Sequence, residues 1–143
     1  MIGSKNFTEG VVLGELIRAL AASTGASVEH RQSLGGTRLV FNALVSGEID
    51  IYAEYTGTLT HEIFAQSKPA SNADLRDLLA ESGLVMSKSL GFRDNFALGM
   101  RERVAERLGI RLVSDLRAHP ELVFRFVTEF MERGDGWPSL RRP

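Results

Sequence analysis

The sequence predicts an α/β fold in which a parallel-rich sheet is flanked by helices. Strand-like and helix-like segments alternate twice within the first 55 residues, a rhythm that favours parallel strands joined by helical crossovers. Residues 48–54 then alternate apolar and polar side chains, as a strand does, and run directly into Tyr55-Thr-Gly-Thr58 at the head of a helix. Ligands collect at such junctions, because unpaired backbone N–H groups begin a helix where a strand ends. This junction is therefore the predicted centre of the molecule.

The elements before the junction are predicted from capping signals and apolar spacing. A short opening strand is followed by a helix that begins near Thr8 and ends at Gly25. Apolar residues three and four positions apart give that helix one predicted buried stripe, made of Val12, Leu13, Leu16, Ile17 and Leu20. Residues 26–32 predict a second short strand, and Gly35-Gly36-Thr37 predicts a loop that caps the next helix.

The regular alternation breaks after the junction. One helix follows it directly, and another is predicted from Asn72 to Gly83. Residues 84–89 and 95–100 predict two strands in succession, which is typical of a crossing between two lobes. Beyond a charged helix over residues 102–108, the apolar run 122–127 predicts a strand buried on both faces.

The composition excludes several classes of function. Of the 143 residues, 43% are hydrophobic and 24% are charged, and the net charge of −1 offers no basic surface to nucleic acid or an anionic membrane. No apolar run is long enough to span a bilayer, and without cysteine there is no disulfide or thiolate nucleophile. The three histidines match no ligand spacing, so no metal or cofactor is expected. A Ser-His-Asp arrangement stays open, although no nucleophile elbow is present.

Residues with binding chemistry stand at the central junction and near the C-terminal end of the sequence. Tyr55 offers an aromatic face and Thr58 a hydroxyl, yet for an isolated junction a packed ring and a helix cap are the better interpretation. Arg133 has the fork geometry to hold a carboxylate, whereas spacing alone favours a pair with Glu129 or Asp135.

Two residues on the predicted crossing leave the same choice open. Asp94 and Phe96 can face a cleft, or they can be an ordinary loop carboxylate and a core ring.

Five segments, taken together and in order, resemble one family. They are Ile2-Gly-Ser-Lys-Asn-Phe-Thr-Glu9, Leu34-Gly-Gly-Thr37, the segment 47–58, Leu90-Gly-Phe92 with the segment 94–100, and the segment 129–138. They resemble the substrate-binding proteins of osmoprotectant ABC transporters, of OpuAC or ProX type, which bind glycine betaine, carnitine or choline. The resemblance implies a class II periplasmic-binding-protein-like fold, whose two lobes close on a ligand by a hinge motion.

The resemblance also implies site residues. Such ligands carry a quaternary ammonium, which offers no N–H group and is held by aromatic faces. By motif, Lys5, Thr58 and Arg133 would bind a ligand carboxylate. Tyr55 would form one wall of the cage, and Asp94 would lie near the cation.

The sequence departs from the family at two points. Phe96 stands where the family more usually has Tyr, which keeps the ring face and loses the hydroxyl. Family members are also about twice as long, so residues 1–93 would form most of the first lobe and 94–143 the crossing and the start of an incomplete second lobe.

The resemblance implies partners and a location as well. An ABC permease would be the protein partner, and the chain would lie in the periplasm or otherwise outside the cytoplasm. Because Met1 opens what reads as a strand entered partway, a signal peptide would already have been removed. Apolar faces such as 122–127 would lack their usual cover, which predicts a homo-oligomer or domain-swapped dimer.

Two alternatives stay open. The chain can be a truncated fragment that acts only as a structural and self-association unit without useful ligand affinity. A small α/β hydrolase or transferase is a more distant alternative.

Overall fold

A computed structural model describes residues 1–142 of the chain. Within them the backbone forms two compact units, one covering Met1–Leu90 and the other beginning at Gly91. The first unit holds a small parallel sheet and the longer helices, and the second holds short helices joined by extended segments. Of the site residues that the sequence predicts, the first unit contains Lys5, Tyr55 and Thr58, and the second contains Asp94, Phe96 and Arg133.

The sheet of the first unit is parallel, and its opening strand lies in the middle. β1 (Ile2–Gly3) pairs with β2 (His30–Arg31), with Ile2 opposite His30. On its other side Ile2 forms a parallel bridge with Ile51, and the N–H of Gly3 donates to the carbonyl of Ile51 at 2.9 Å. The parallel arrangement expected from the sequence is therefore present.

The predicted strand over residues 48–54 is wrong in its extent. Its pairing is limited to the bridge at Ile51. The N–H groups of Glu48 and Ile49 instead both donate to the carbonyl of Ala43 in the preceding helix, at 2.9 and 3.2 Å. Because these amides are already used, the strand ladder cannot extend toward them.

The first helix, α1 (Thr8–Ala22), buries a different face from the predicted one. Its buried residues are Gly10 and Gly14. Three members of the predicted stripe are mostly exposed, namely Val12 at 51%, Leu16 at 60% and Leu20 at 71%. The helix approaches β2 so closely that a Cβ on Gly14 would overlap the imidazole of His30. Two glycines carry no hydrophobic signal, but their missing side chains permit this close packing.

Gly14→Ala is expected to destabilise the first unit by about 1–3 kcal/mol, since the imidazole of His30 must move to admit the methyl group. Gly57→Ala is the matched control, because Gly57 is also helical and a Cβ there meets nothing within 4 Å. Urea unfolding followed by circular dichroism measures both variants. Equal midpoints for the two variants would contradict the close packing.

The remaining helices of the first unit enclose its main apolar cluster. α2 (Thr37–Val45) is followed by α3 (Thr56–Thr58), which continues as a π-helical turn (Leu59–Ile63), and then by α4 (Asn72–Glu81). The cluster has Leu59, Leu75 and Leu79 at its centre. Ser71 and Asp74 form a reciprocal capping box at the start of α4. The π-helical turn and α4 thus fix α3 from its C-terminal side.

The second unit contains short helices, and the segments that the sequence predicts as strands form neither strand nor helix. It contains α5 (Glu102–Leu108), a 3₁₀ segment (Val113–Ala118), α6 (Thr128–Glu132) and α7 (Trp137–Leu140). Of the strands predicted over 84–89, 95–100 and 122–127, none pairs with another strand within residues 1–142. Val123 is 89% exposed, so the last of these segments is not buried on both faces. An apolar run becomes a strand only where a neighbouring backbone pairs with it, and the described residues supply none there.

Candidate functional site

Lys5 follows β1 and is almost completely buried. Its side chain is 3% exposed, and Nζ donates to Oε1 of Glu54 at 2.7 Å. The same ammonium lies 5.3 Å from the ring centre of Phe7 and 5.7 Å from that of Tyr55. These distances are typical of cation–π contacts. The structure therefore brings two of the predicted site residues, Lys5 and Tyr55, together.

Glu54 connects the end of β1 with the start of α3. Its Oε1 accepts both the Lys5 ammonium and the backbone N–H of Tyr55, the latter at 2.9 Å. Its Oε2 accepts the hydroxyl of Tyr52 at 3.1 Å. Burial raises the pKa of Tyr52, and the negative charge of Glu54 raises it further. The carboxylate thus has three donors and holds two separate backbone segments together.

Tyr55 immediately precedes the short helix α3, and Thr58 ends it. Tyr55 is the residue before its first turn, and its hydroxyl donates to the carboxylate of Glu9 in the first turn of α1. Thr58 is the last residue of α3, with only 4% of its surface exposed. Tyr55 is therefore held by hydrogen bonds of its N–H to Glu54 and of its hydroxyl to Glu9, and Thr58 is held by its burial at the end of α3.

A second set of hydrogen bonds supports the backbone just before Lys5. The imidazole of His30 joins Ser4 Oγ at 2.9 Å to Glu15 Oε1 at 2.8 Å. This is a Ser-His-carboxylate arrangement of the type that the sequence left open. Ser4 is only 2% exposed, however, so its hydroxyl is not presented to a substrate. The chain of hydrogen bonds instead ties β1 and β2 to α1.

The carboxylate of Glu15 is held in its ionised form. Arg18 donates to it at 2.8 Å, and His30 and Gln32 also hydrogen-bond with it. These contacts, with Arg18 first, lower the pKa of Glu15 from 4.5 to about 2. The sequence signal for this role is weak, because an acidic residue on a helix is usually solvated.

The depressed pKa of Glu15 predicts a specific acid sensitivity. Its contribution to stability is fully present above pH 4.5 and is lost as the pH falls from 4.5 through about 2. In Glu15→Gln the dependence of the urea midpoint on pH should be flatter across that window than in the wild-type chain. Glu81→Gln, an exposed change on α4, should follow the wild-type curve. A Glu15→Gln curve parallel to the wild type would contradict the assignment.

In the second unit Arg133 is paired within its own segment. Its Nε and Nη2 donate to the two carboxylate oxygens of Asp135 at 2.8 and 2.6 Å, and Nη1 donates to Glu129 at 3.4 Å. The hydrogen bonds to Asp135 raise the pKa of Arg133. Its guanidinium carbon also lies 5.6 Å from the ring centre of Phe96. The structure thus brings Phe96 and Arg133 together, and it contains the local ion pair that spacing favoured.

An open hollow lined by aromatic side chains lies next to Phe96, the ring that Arg133 contacts. Phe96 meets Phe130 edge-on at 4.9 Å, and Phe126 lies 5.0 Å from Phe130, measured between ring centres. The hollow measures about 180 Å³, and its lining includes Phe96, Leu98, Arg125, Phe126, Val127 and Phe130. Asp94 is exposed, and within residues 1–142 its carboxylate forms no hydrogen bond or ion pair. The structure does not bring Asp94 into the hollow's lining.

Four residues of these two clusters are not among the site residues that the sequence predicts. Phe7 and Glu54 both stand inside segments that carry the family resemblance, so their position was a usable signal. Phe126 and Phe130 were assigned to a buried strand and to the segment after it. Their shared contact depends on α6 beginning between them, at Thr128, which apolar spacing did not indicate.

Residues 1–142 match the OpuAC family, the substrate binding domain of ABC-type glycine betaine transport systems. The match extends over the whole described part of the chain, and the chain belongs to this family. The expected fold class is confirmed as a partial periplasmic-binding-protein-like domain with a small parallel sheet flanked by helices. Members of the family are periplasmic or extracytoplasmic substrate-binding proteins of ABC transporters and are not enzymes.

Individual relatives support this assignment. The glycine betaine-binding protein YehZ of Escherichia coli K12 is 30% identical over 152 residues, which cover 99% of this chain and 50% of that protein. The solved structure of apo YehZ matches with a TM-score of 0.61, over 96% of this chain and 53% of that one. A glycine-betaine-binding protein of Pseudomonas aeruginosa is 37% identical over 119 residues, covering 80% of this chain and 38% of that protein.

The carnitine transport binding protein OpuCC of Listeria monocytogenes is 28% identical over 150 residues, covering 99% of this chain and 49% of that protein. The chain thus spans about half the length of these relatives, or less. Among residues 1–142 no helix has the length and apolar character needed to cross a bilayer.

Proposed function

We propose that the chain is the solute-binding component of an ABC importer and binds quaternary ammonium compounds such as glycine betaine, choline and carnitine for osmoprotectant uptake. One observation carries the proposal beyond family membership. A buried ammonium, that of Lys5, already lies against the rings of Phe7 and Tyr55. Rings that hold one cation in this way are suited to hold another, since cation–π attraction does not require an N–H donor.

The proposed roles follow the motifs of the family. Lys5, Thr58 and Arg133 bind the ligand carboxylate, and Tyr55 forms one wall of the cation cage. Asp94 lies near the cation in the loaded protein. Phe96 supplies a second wall, and its contacts with Phe130 and with the guanidinium of Arg133 support that assignment.

The proposed lobes are residues 1–93, which form most of the first lobe, and residues 94–143, which contain the crossing and the beginning of the second. The division of the described residues between Leu90 and Gly91 lies close to that boundary and supports it. The partner is an ABC permease, and the chain acts outside the cytoplasm.

Tyr55→Ala is expected to weaken ligand binding about tenfold, because the cage loses one aromatic face. Isothermal titration calorimetry with glycine betaine, choline and carnitine measures the loss. Tyr55→Phe is the matched control, since it keeps the ring and removes the hydroxyl that donates to Glu9. Equal affinity of Tyr55→Ala and the wild-type chain would rule out the cage role of Tyr55.

A second candidate function is self-association without useful ligand affinity. Its support is the apolar face that α1 leaves exposed, formed by Val12, Leu16 and Leu20. This candidate predicts no heat with any of the three ligands, together with a homo-oligomer or domain-swapped dimer in light scattering. A monomer at high concentration would exclude it.

A further inference from the structure

Glu54 lies next to Lys5, the residue proposed to bind the ligand carboxylate. The family motifs assign no ligand contact to Glu54. Its side chain is 8% exposed and that of Lys5 is 3% exposed, with 2.7 Å between the carboxylate oxygen and the ammonium. The ammonium is therefore already neutralised by a carboxylate of the chain itself. Glu9 adds a further acidic group at the hydroxyl of Tyr55. The surroundings of Tyr55 thus contain two carboxylates and one ammonium, and the ammonium is paired with Glu54.

We propose that Glu54 occupies the position on Lys5 that a ligand carboxylate would take, and that it thereby sets the preference between cationic and zwitterionic ligands. The inference rests on the proposed function, because it concerns the same binding residues. A ligand carboxylate that approaches Lys5 must share the ammonium with Glu54 and is repelled by it across a short, poorly solvated distance. Choline has no carboxylate, so Glu54 does not repel it, and the negative charge of Glu54 offsets the repulsion between the Lys5 ammonium and the positive charge of choline. Glu54 therefore disfavours the anionic end of a ligand, which is a form of specificity by repulsion.

Glu54→Gln tests this role with little change of shape. Glutamine still offers a carbonyl oxygen to Lys5 or to the N–H of Tyr55, but it no longer neutralises the ammonium. The affinity for glycine betaine relative to choline should rise at least about tenfold over the wild-type ratio, which corresponds to about 1.4 kcal/mol. Glu81→Gln removes the same charge at an exposed position on α4 and should leave the ratio unchanged. Because the readout is a ratio of two ligands, a general loss of folded protein does not produce the expected shift. A wild-type ratio in Glu54→Gln overturns the proposal.

A second measurement does not depend on osmolyte binding. Glu54→Ala leaves Lys5 buried beside a space of carboxylate size, and formate is the smallest probe that fills it. Formate should raise the melting temperature of Glu54→Ala or restore its folding. It should raise the melting temperatures of the wild-type chain and of Glu81→Ala much less. If the wild-type chain binds neither glycine betaine nor choline, the proposed function fails. Rescue by formate then still supports the competition at Lys5, and absence of rescue overturns it.

Discussion

Replacing Gly136 with alanine is expected to unfold the second unit or to destabilise it by about 3 kcal/mol or more. Gly136 is buried, and a Cβ there would overlap the backbone carbonyl oxygen of Phe130 and lie 3.0 Å from its carbonyl carbon. A side chain can rotate away from such an overlap, but a backbone carbonyl in α6 cannot move without breaking the helix. The aromatic contacts of Phe130 would be lost with it.

The single tryptophan of the chain reports this change directly. Trp137 lies 5.6 Å from Phe126 between ring centres, so its fluorescence follows the packing of this unit. Gly99→Ala is the matched control in the same unit, because a Cβ there meets nothing within 4 Å. Denaturant unfolding should show a large loss of midpoint for Gly136→Ala and almost none for Gly99→Ala. Similar midpoints would show that α6 and the following turn are not packed as described.

Lys5→Met is expected to destabilise the first unit by about 3–5 kcal/mol, because it leaves the buried carboxylate of Glu54 without its cation. Methionine fills a similar volume, so the loss comes from the unpaired charge more than from a cavity. Hydrogen exchange of the Gly3 amide, which donates to Ile51, measures the opening of the sheet next to the pair.

The double variant Lys5→Met/Glu54→Leu provides the control for this prediction. Replacing both members of a buried ion pair by apolar residues is often nearly neutral. The double variant should therefore recover part of the lost stability, and the remainder reflects the Tyr52 hydroxyl and the Tyr55 N–H, which lose Glu54 as their acceptor. Equal stability of the single and double variants would show that the unpaired carboxylate is not the cause.

Local patterns predicted the elements of the first unit well. Strand and helix alternation indicated parallel pairing, and the structure confirms it between β1, β2 and Ile51. Capping and apolar spacing indicated α1 and α4, which are both present. The buried face of α1 was not predictable, because it is decided by how closely Gly14 approaches His30 from another element.

The second unit was predicted less well for a related reason. The apolar run 122–127 has the composition of a buried strand, but composition does not supply the neighbouring backbone that a strand must pair with. Spacing within one segment was more informative, since it indicated the contacts of Arg133 with Glu129 and Asp135.

The pairing of Lys5 with Glu54 also depends on contacts between separate elements. Lys5 and Glu54 are separated by 49 residues, and each stands in a recognisable motif. Nothing in either motif shows that the two side chains neutralise each other, because that depends on the pairing of Ile51 with β1. The family motifs therefore indicated the residues that meet, and the structure was needed to show their charge balance.

The buried pair of Lys5 and Glu54 also bears on how the first unit responds to heat. The penalty for removing charged groups from water falls as temperature rises, whereas the hydrophobic contribution per unit area levels off. This ion pair holds the end of β1 against the start of α3. As the temperature rises, the pair should therefore contribute a growing share of the stability of the first unit.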